Sequence, residues 1–293
     1  MTHQAGFINI IGKPNVGKST FINALVGEKV AIVSHKPQTT RHRTLGIVNG
    51  DDYQMVFSDT PGVLKPKYEM HKAMMRFVEL ALEDADLLIL MVEVNEDPQK
   101  HREIIERVKK PDVPVLLIIN KIDRSSQEKV KNRMAEWNAF FDEELIIPLS
   151  ATEGFNLERV KNLILKRLPE SPPFFEKDIF TDRTERFLVS EIIREKIFFR
   201  YKQEVPYSTD VQVAQFTEED DIIYIYADIW VNKKSQKPIL IGNKGAALKD
   251  IGTQARKELE EFFNKKVYLE LFVKVRENWR ENPNRLKELG WES

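Results

Sequence analysis

The chain contains no cysteine among its 293 residues, which excludes disulfide bonds and thiolate metal sites and suits a reducing compartment. It also lacks a dominant charge, because 45 basic and 46 acidic side chains leave a net charge of −1. A nucleic acid would therefore have to bind a local basic patch. Long apolar runs are missing as well: the longest, 87–92 and 113–119, have the length of strands and cannot span a bilayer. The first residues carry neither a basic region nor a long apolar segment, so we expect no secretory signal.

Two domains are expected from the length of the chain, which exceeds the size at which a single hydrophobic core usually stops growing. The clearest boundary is the proline-rich segment 168–175. We therefore predict a first domain at 1–170, a stiff linker at 171–180 and a second domain at 181–293.

The first functional signal is a glycine-bounded loop. An apolar run at 7–11 is followed by the pattern G-x-x-x-x-G-K-[ST] and then by a helical segment, which is the context in which this pattern binds phosphate. Glycines let successive N–H groups turn towards phosphate oxygens, and the helix adds its positive dipole end. We favour phosphate binding over a plain turn, with Lys18 reaching the β- and γ-phosphates and the Ser19 hydroxyl binding Mg²⁺. The predicted nucleotide-binding residues here are Gly12, Asn15, Val16, Gly17, Lys18, Ser19 and Thr20.

A second loop points to the same ligand. Two strands predicted at 44–49 and 53–58 form a hairpin, and the second strand runs into the tetrapeptide 59–62. The Asp59 carboxylate can hold Mg²⁺ through water, and the Gly62 N–H can bind a γ-phosphate. The pattern D-x-x-G alone is usually a turn, but its position at a strand end, about forty residues after a phosphate loop, favours a nucleotide sensor.

Apolar strands alternate with amphipathic helices in the rest of the first domain. Strands are expected at 87–92, 113–119 and 145–147, and helices near 99–109, 127–141 and 157–168. This alternation predicts an α/β fold with a mostly parallel sheet covered on both faces.

The residues that would select the base follow the strand at 113–119. Asp123 can accept hydrogen bonds from N1–H and the N2 amine of guanine, whereas adenine offers no such donor pair. Lys121 can lay its aliphatic stem over the purine, and Asn120 can bridge to the base and to neighbouring loops. At the next strand end, the Ser150-Ala151 pair can direct a backbone N–H at guanine O6. Each signal is weak singly, but their order and placement together predict a guanine nucleotide.

Together these residues resemble the five signature motifs of the translation-factor-related GTPases. The sequences PNVGKST at 14–20 and PQTTR at 37–41 resemble the Era branch in particular. The resemblance implies a P-loop GTPase domain that uses GTP or GDP and Mg²⁺. It leaves open whether Thr39 or Thr40 binds the ion, and we assign Thr40 beside Ser19 and Asp59. The catalytic set that it implies is Lys18, Thr40, Asp59 and Gly62.

Two positions depart from related patterns. Val63 follows Gly62, where Ras-like proteins carry a glutamine that orients water. A valine side chain neither donates nor accepts a hydrogen bond, so hydrolysis must rely on another group or be slow. Glu93 stands where relatives often have aspartate after the apolar strand, and we expect no consequence.

Beyond the linker, apolar residues at helical spacing predict a helix over 184–201, and two strands follow, the second at 222–231. In this strand isoleucines would share one face, while Tyr224, Tyr226 and Trp230 share the other. Aromatic residues on a sheet can stack on bases. They more often cover a core beneath a helix, and we favour that interpretation.

A second glycine loop lies at 242–245, between a short apolar turn and a predicted helix at 246–263, with a strand at 266–275 after it. The order of elements resembles a type II KH domain, an α+β fold, although little chain is left for the helix before the loop. In such domains the glycine loop holds the backbone of single-stranded nucleic acid. Five lysines without an intervening acid, 233 to 249, support phosphate contact. The predicted RNA-binding residues are Lys237, Ile241, Gly242, Asn243, Lys244, Gly245 and Lys249.

The resemblance to Era-type proteins covers almost the whole chain, 6–291. It implies a GTP/GDP switch that binds 16S rRNA near its 3′ end and assists assembly of the small (30S) ribosomal subunit. It also implies a cytoplasmic location and no DNA partner, and it leaves open a peripheral association with the inner face of the cell membrane. The tail at 279–291 could contact RNA or pack on the domain. The five histidines lack metal-ligand spacing, and we expect them on the surface.

Two alternatives to this function remain at this point. One is an ATPase with an RNA-binding appendage, against which the Asn120–Asp123 motif argues. The other is an RNA-binding assembly factor whose nucleotide domain is a passive, non-hydrolysing clamp.

Overall fold

The computed structural model describes residues 2–291, which form two compact units. The first unit contains the residues up to Lys65 together with Met74–Asp182. The second contains Pro66–Ala73 together with the residues from Arg183 onward. Within 2–291 there is no helix of the length and hydropathy needed to cross a membrane.

A six-stranded sheet forms the centre of the first unit. Its strands are β1 (Gln4–Ile11), β2 (Thr44–Asn49), β3 (Tyr53–Asp59), β4 (Leu87–Glu93), β5 (Val115–Asn120) and β6 (Ile146–Pro148). Their spatial order is β2-β3-β1-β4-β5-β6, and the edge pair β2–β3 is antiparallel while the other pairs are parallel. The mostly parallel sheet expected from the sequence is therefore confirmed.

Both faces of this sheet are covered, as the residues of β4 show. Leu87, Ile89 and Met91 belong to a buried cluster on one face, and their neighbours Leu88 and Leu90 belong to a cluster on the other. This is why the strand is apolar at consecutive positions rather than at alternate ones. The helices that follow the strands are α1 (Lys18–Val26), α2 (Glu69–Glu83), α3 (Arg102–Lys109), α4 (Gln127–Trp137) and α5 (Leu157–Leu165).

Residues 171–182 pack against the first unit, although we expected a linker at 171–180. The buried Gln54 side chain accepts hydrogen bonds from the N–H groups of Phe174 (2.8 Å) and Phe175 (3.0 Å). The N–H of Ile47 in β2 donates to the carbonyl of Phe180 at 2.9 Å. The segment thus lies as a strap along the first unit, and the chain enters the second unit at Arg183.

The second unit has a three-stranded sheet with helices on one face. Its elements are α6 (Glu185–Arg200), β7 (Thr209–Glu218), β8 (Ile222–Val231), α7 (Gln236–Ile241), α8 (Ala246–Phe263), β9 (Lys266–Val275) and α9 (Pro283–Glu288). Strand β8 lies between an antiparallel β7 and a parallel β9. This is the order expected for a KH domain, and the helix before the glycine loop is α7, with six residues.

The helices of the second unit cover the isoleucine face of β8, whereas we expected them to cover its aromatic face. Ile223, Ile225 and Ile229 are buried in the same cluster as residues of α6 and α8, so the helices cover the isoleucine face. Tyr224 and Tyr226 remain half-buried, within 6 Å of the exposed Tyr268 ring. The expectation that these tyrosines cover a core beneath a helix is therefore wrong.

The C-terminal tail packs on the second unit. Trp279 and Trp291 are buried, and the indole N–H of Trp279 donates to the carbonyl of Ser208 at 3.1 Å. Leu286 of α9 is buried as well. The sequence left open whether the tail contacts RNA or packs on the domain, and the structure shows that it packs on the domain.

Candidate functional site

The phosphate loop joins β1 to α1 and closes around Lys18. Gly17 has φ of 104°, and a Cβ added there would lie 2.3 Å from Asn120 Nδ2. Glycine is therefore required both by the left-handed backbone and by the close approach of the next loop. The Lys18 side chain is 6% exposed and its Nζ donates to the carbonyls of Gly12 (3.3 Å) and Lys13 (3.1 Å). An ammonium enclosed in this way is well placed to exchange loop carbonyls for phosphate oxygens.

Burial of Lys18 affects the pKa of its ammonium group. It lowers the pKa of this ammonium to about 8, although the nearby carboxylates of Asp59 and Glu96 offset part of the effect. A bound phosphate would restore the charged form because it adds negative charge next to the ammonium.

Three side-chain oxygens meet at the start of α1. Ser19 Oγ donates to Asp59 Oδ2 at 2.7 Å and lies 2.9 Å from Thr40 Oγ1. Thr40 Oγ1 also donates to Asp59 Oδ2 at 3.1 Å, whereas the Thr39 hydroxyl donates to the carbonyl of Lys36 at 2.7 Å. Two hydroxyls and one carboxylate form an all-oxygen set that suits Mg²⁺, and the geometry favours Thr40 over Thr39 as its third member.

The base loops lie at the ends of β5 and β6, in the same cleft as Lys18 and Thr40. The Asn120 amide donates to the carbonyl of Val16 at 2.9 Å and accepts from the Ala151 N–H at 3.1 Å. Asn120 thus joins the phosphate loop to the last base loop. The Ala151 N–H, which we expected to face guanine O6, is directed at Asn120 in this structure.

Asp123 and Lys121 are held in place by neighbouring groups. The Ser150 hydroxyl donates to Asp123 Oδ1 at 2.6 Å, which orients the carboxylate expected to recognise guanine. Lys121 has φ of 63° and its Nζ donates to the carbonyl of Asn15 at 2.5 Å. The Lys121 side chain therefore lines the cleft and reaches the phosphate loop, and its contact with a purine stays a prediction.

The segment around Gly62 contacts the phosphate loop. The Val63 N–H donates to the carbonyl of Gly12 at 3.1 Å, and a Cβ on Gly62 would lie 2.5 Å from the Pro14 nitrogen. The Val63 side chain packs against buried apolar residues. Nothing in its chemistry could orient water, as the sequence indicated.

Sequence reasoning missed three groups beside the phosphate loop. We expected no consequence of glutamate in place of aspartate at position 93 and assigned Glu93 no contact, and its Oε1 lies 2.5 Å from Lys121 Nζ. Glu96 Oε2 lies 3.1 Å from Lys13 Nζ and 2.5 Å from Nε2 of His101. His101 is buried, and so is His71, so the expectation that the histidines lie on the surface is wrong for these two. The Lys13–Glu96 contact joins residues 83 positions apart in a pattern that no local motif reveals.

The glycine loop of the second unit lies at the N-terminus of α8. Gly242 has φ of 73°, Lys244 of 49° and Gly245 of 81°, so the loop has positive φ at three positions. A Cβ on Gly242 would lie 2.6 Å from the Cβ of Ala247, which requires glycine there. Asn243 and Lys244 are exposed at the tip. The loop therefore offers backbone N–H groups and a helix dipole to an external phosphate.

The other expected RNA-binding residues differ in their exposure to solvent. Lys237 and Lys249 are exposed, whereas Ile241 packs against the core of the unit. Lys249 lines a groove of about 360 Å³ between α8 and β9. The groove is lined by Gly245, Leu248, Lys249, Gly252, Thr253, Arg256, Leu269, Glu270 and Leu271. Its apolar floor and charged rim are suited to a base whose phosphate lies at the loop.

Comparison with known proteins agrees with both halves of this description. Residues 7–121 match the family described as 50S ribosome-binding GTPase, and residues 204–280 match the KH domain family. GTPase Era of Clostridium kluyveri is 43% identical over 98% of this chain and 99% of its own. GTPase Era of Geobacter metallireducens is 45% identical over 98% of each chain.

Two solved structures resemble the whole chain. One is Era in complex with MgGDPNP and nucleotides 1506–1542 of 16S ribosomal RNA, with a TM-score of 0.95, 38% identity and coverage of 99% of this chain and 100% of the other. The second is an Aquifex aeolicus Era variant bound to GDP and AlF₄⁻, with a TM-score of 0.94, 39% identity and the same coverage.

The fold and the two glycine loops define a P-loop GTPase domain joined to a KH domain. At this level of identity over nearly its full length, the chain belongs to the Era family of GTPases. It is a GTP-hydrolysing enzyme, which decides against both the ATPase and the passive nucleotide clamp as alternatives.

Proposed function

We propose that this GTPase binds 16S rRNA near its 3′ end through the KH domain and assists assembly of the small ribosomal subunit. The observation that carries the proposal is the glycine loop with positive φ at the N-terminus of the 18-residue helix α8, open to solvent beside the groove between α8 and β9. A related protein of the same family has been solved with a 16S rRNA segment, which supports the choice of RNA.

The experiment that tests this proposal is an equilibrium binding titration. A labelled RNA with the sequence of the 16S 3′ segment should bind with submicromolar affinity, and a scrambled RNA of the same length and composition should bind at least tenfold more weakly. Equal binding of the two RNAs would overturn the proposal, because phosphate contacts alone do not distinguish sequences.

For hydrolysis we propose that Lys18, Ser19, Thr40, Asp59 and Gly62 act together on the terminal phosphate. Lys18 holds the β- and γ-phosphates, and the Gly62 N–H donates to the γ-phosphate. Ser19 Oγ and Thr40 Oγ1 lie within 3.1 Å of the Asp59 carboxylate and would hold Mg²⁺ with it. When bound there, Mg²⁺ would supply positive charge next to the phosphates. Because Val63 cannot orient the attacking water, we expect slow turnover in the absence of a partner.

The base is held by Asn120, Lys121 and Asp123 in this proposal, with Ser150 orienting Asp123 and the Ala151 loop closing the edge of the cleft. The cytoplasmic location and the peripheral association with the inner face of the cell membrane stay predictions. Flotation of the purified protein with anionic lipid vesicles tests the second.

A further inference from the structure

The end of β4 and the turn after it contact Lys121 of the base loop and Lys13 of the phosphate loop. Glu93 ends β4, directly opposite Asn120 of β5 in the parallel register. Its Oε1 lies 2.5 Å from Lys121 Nζ, and both side chains are less than a third exposed. Lys121 therefore has two fixed partners for its ammonium, this carboxylate and the carbonyl of Asn15.

Three residues later, Glu96 uses both of its carboxylate oxygens. Oε1 accepts the N–H of Glu93 at 3.3 Å, which closes the turn between the two glutamates. Oε2 faces Lys13 Nζ at 3.1 Å and the buried His101 Nε2 at 2.5 Å. The carbonyl of Lys13 is in turn one of the two acceptors that hold Lys18. Lys13 Nζ also lies 3.0 Å from His101 Nε2, so Glu96 and His101 together position the side chain of a phosphate-loop residue whose backbone supports the phosphate-binding lysine.

The electrostatics of Glu96 agree with this geometry. Burial alone would raise the pKa of its carboxyl group, but His101 and Lys13 outweigh burial and hold the pKa below its usual value. The group is therefore ionised at neutral pH. Partly buried ion pairs of this kind are screened less by salt than exposed ones.

We propose that Glu93 and Glu96 form an acidic clamp that positions the two nucleotide-recognition loops. Glu93 fixes Lys121 over the guanine base, and Glu96 fixes Lys13 and with it the phosphate loop. Neither glutamate belongs to the five signature motifs, and neither lines the cleft that contains Lys18 and Asp123. Both are positioning residues, and the inference rests on the proposed role of Lys121 at the base.

We expect substitution of Glu93 to weaken nucleotide binding and substitution of Glu96 to slow turnover. In Glu93→Gln the ammonium of Lys121 loses its charged partner, so the dissociation constants for GTP and GDP should rise by the same factor, about tenfold, because the base is common to both. In Glu96→Gln the side chain of Lys13 loses its charged partner. Lys13 follows Gly12, whose carbonyl accepts a hydrogen bond from the Val63 N–H. Turnover at saturating GTP should therefore fall about tenfold, by more than the affinity for GTP falls.

The test is a double-mutant cycle with Lys121→Gln, read by nucleotide binding and by GTP turnover. If Glu93 acts through Lys121, Glu93→Gln should have no further effect in the Lys121→Gln background. Glu103→Gln, an exposed glutamate on α3, is the matched control and should behave as wild type.

Each outcome separates the inference from the proposed function. If Lys121→Gln weakens nucleotide binding but Glu93→Gln does not, or if the two effects simply add, the acidic clamp is wrong and the site stands. If Lys121→Gln itself has no effect, the proposed role of Lys121 fails as well. A Glu96→Gln variant with wild-type turnover would contradict the phosphate end of the clamp.

Discussion

The two glycine loops of this chain, Gly12–Ser19 and Gly242–Gly245, use similar backbone chemistry in different surroundings. Both precede a helix, and both contain left-handed residues, Asn15 and Gly17 in the first and Lys244 in the second among them. The first is closed in by the Asn120 amide and the segment after Asp59, and its lysine is 6% exposed. The second presents its lysine to solvent beside an open groove.

This difference accounts for what each loop can recognise. A closed cradle with converging side chains can surround the terminal phosphates of a small nucleotide and hold the groups that act on them. An open loop can accept one phosphate of a continuous polymer, since the chain must enter and leave on both sides. The proposed function therefore assigns catalysis to the first loop and binding of RNA to the second.

We call Gly12–Ser19 the closed loop and Gly242–Gly245 the open loop. Lys18→Ala, in the closed loop, should produce the largest effect because it should abolish GTP binding or hydrolysis. Loss of a buried, charge-assisted contact to the β- and γ-phosphates should lower GTP turnover or affinity by about a thousandfold. Single-turnover hydrolysis and nucleotide titration measure the two. Lys110→Ala, at an exposed position after α3, serves as the control. Near-normal turnover in a folded Lys18 variant would contradict the role assigned to this residue.

The double variant Asn243→Asp/Lys244→Asp should remove the function of the open loop alone. Two carboxylates at the tip would repel the phosphate that the loop must approach, so RNA affinity should fall at least about a hundredfold at moderate salt. GTP affinity should stay at the wild-type value. Titrations of RNA across a salt series and of GTP at one salt concentration give both numbers.

Two controls sharpen this prediction. Gln254→Glu/Lys257→Asp makes the same change in net charge at exposed positions of α8 that do not line the groove, and it should lower RNA affinity only modestly. Neutralising Lys233 and Lys234 should only flatten the salt dependence. If all three double variants lost the same affinity, general electrostatics would explain the loss and the loop would have no special role.

Asp123→Asn should change which base binds in the nucleotide cleft. The amide presents a donor where guanine also donates, whereas the 2-oxo group of xanthine can accept it. We expect GTP affinity to fall about a hundredfold and xanthosine triphosphate to be preferred. Competition between the two nucleotides measures the switch, with the exposed Asp112→Asn as the control. Unchanged GTP affinity would show that Asp123 does not recognise the base.

The smallest expected effect is a pH dependence of nucleotide affinity. The pKa of Lys18 is lowered to about 8 in the closed loop, and bound phosphates should raise it again. Binding therefore takes up a proton above pH 8, and GDP affinity should fall by up to about tenfold per pH unit there while staying level near pH 7. Titrations between pH 7 and 9 measure this, and a level profile in wild type would contradict the pKa assigned to Lys18.

The sequence predicts most of the closed loop and less of the open one. Gly12, Asp59 and Asp123 lie at or just after the ends of strands whose positions follow from apolar runs, and Lys18 begins α1. Local pattern and fold therefore lead to the same site. Helix α7 was uncertain because six residues have little helical stability of their own and depend on tertiary packing.

Contacts between distant residues account for the rest of what the sequence did not reveal. The pairing of Lys13 with Glu96 and the burial of His101 depend on how α3 packs beside the phosphate loop, which residue spacing does not encode. The expectation that a helix covers the tyrosines of β8 is wrong because alternation shows that the two faces of a strand differ but not which face the helices cover.

The central claim is that one chain holds GTP in the closed loop and RNA at the open one, and photo-crosslinking of bound RNA tests it most directly. The labelled 16S 3′ segment is bound, irradiated and mapped to peptides of the full chain, with GTP present. We predict crosslinks in the loop Gly242–Gly245 and in the groove formed by α8 and β9. Crosslinks confined to the tail after Trp279 or to the tyrosine face of β8, with the loop unmarked, would contradict the account.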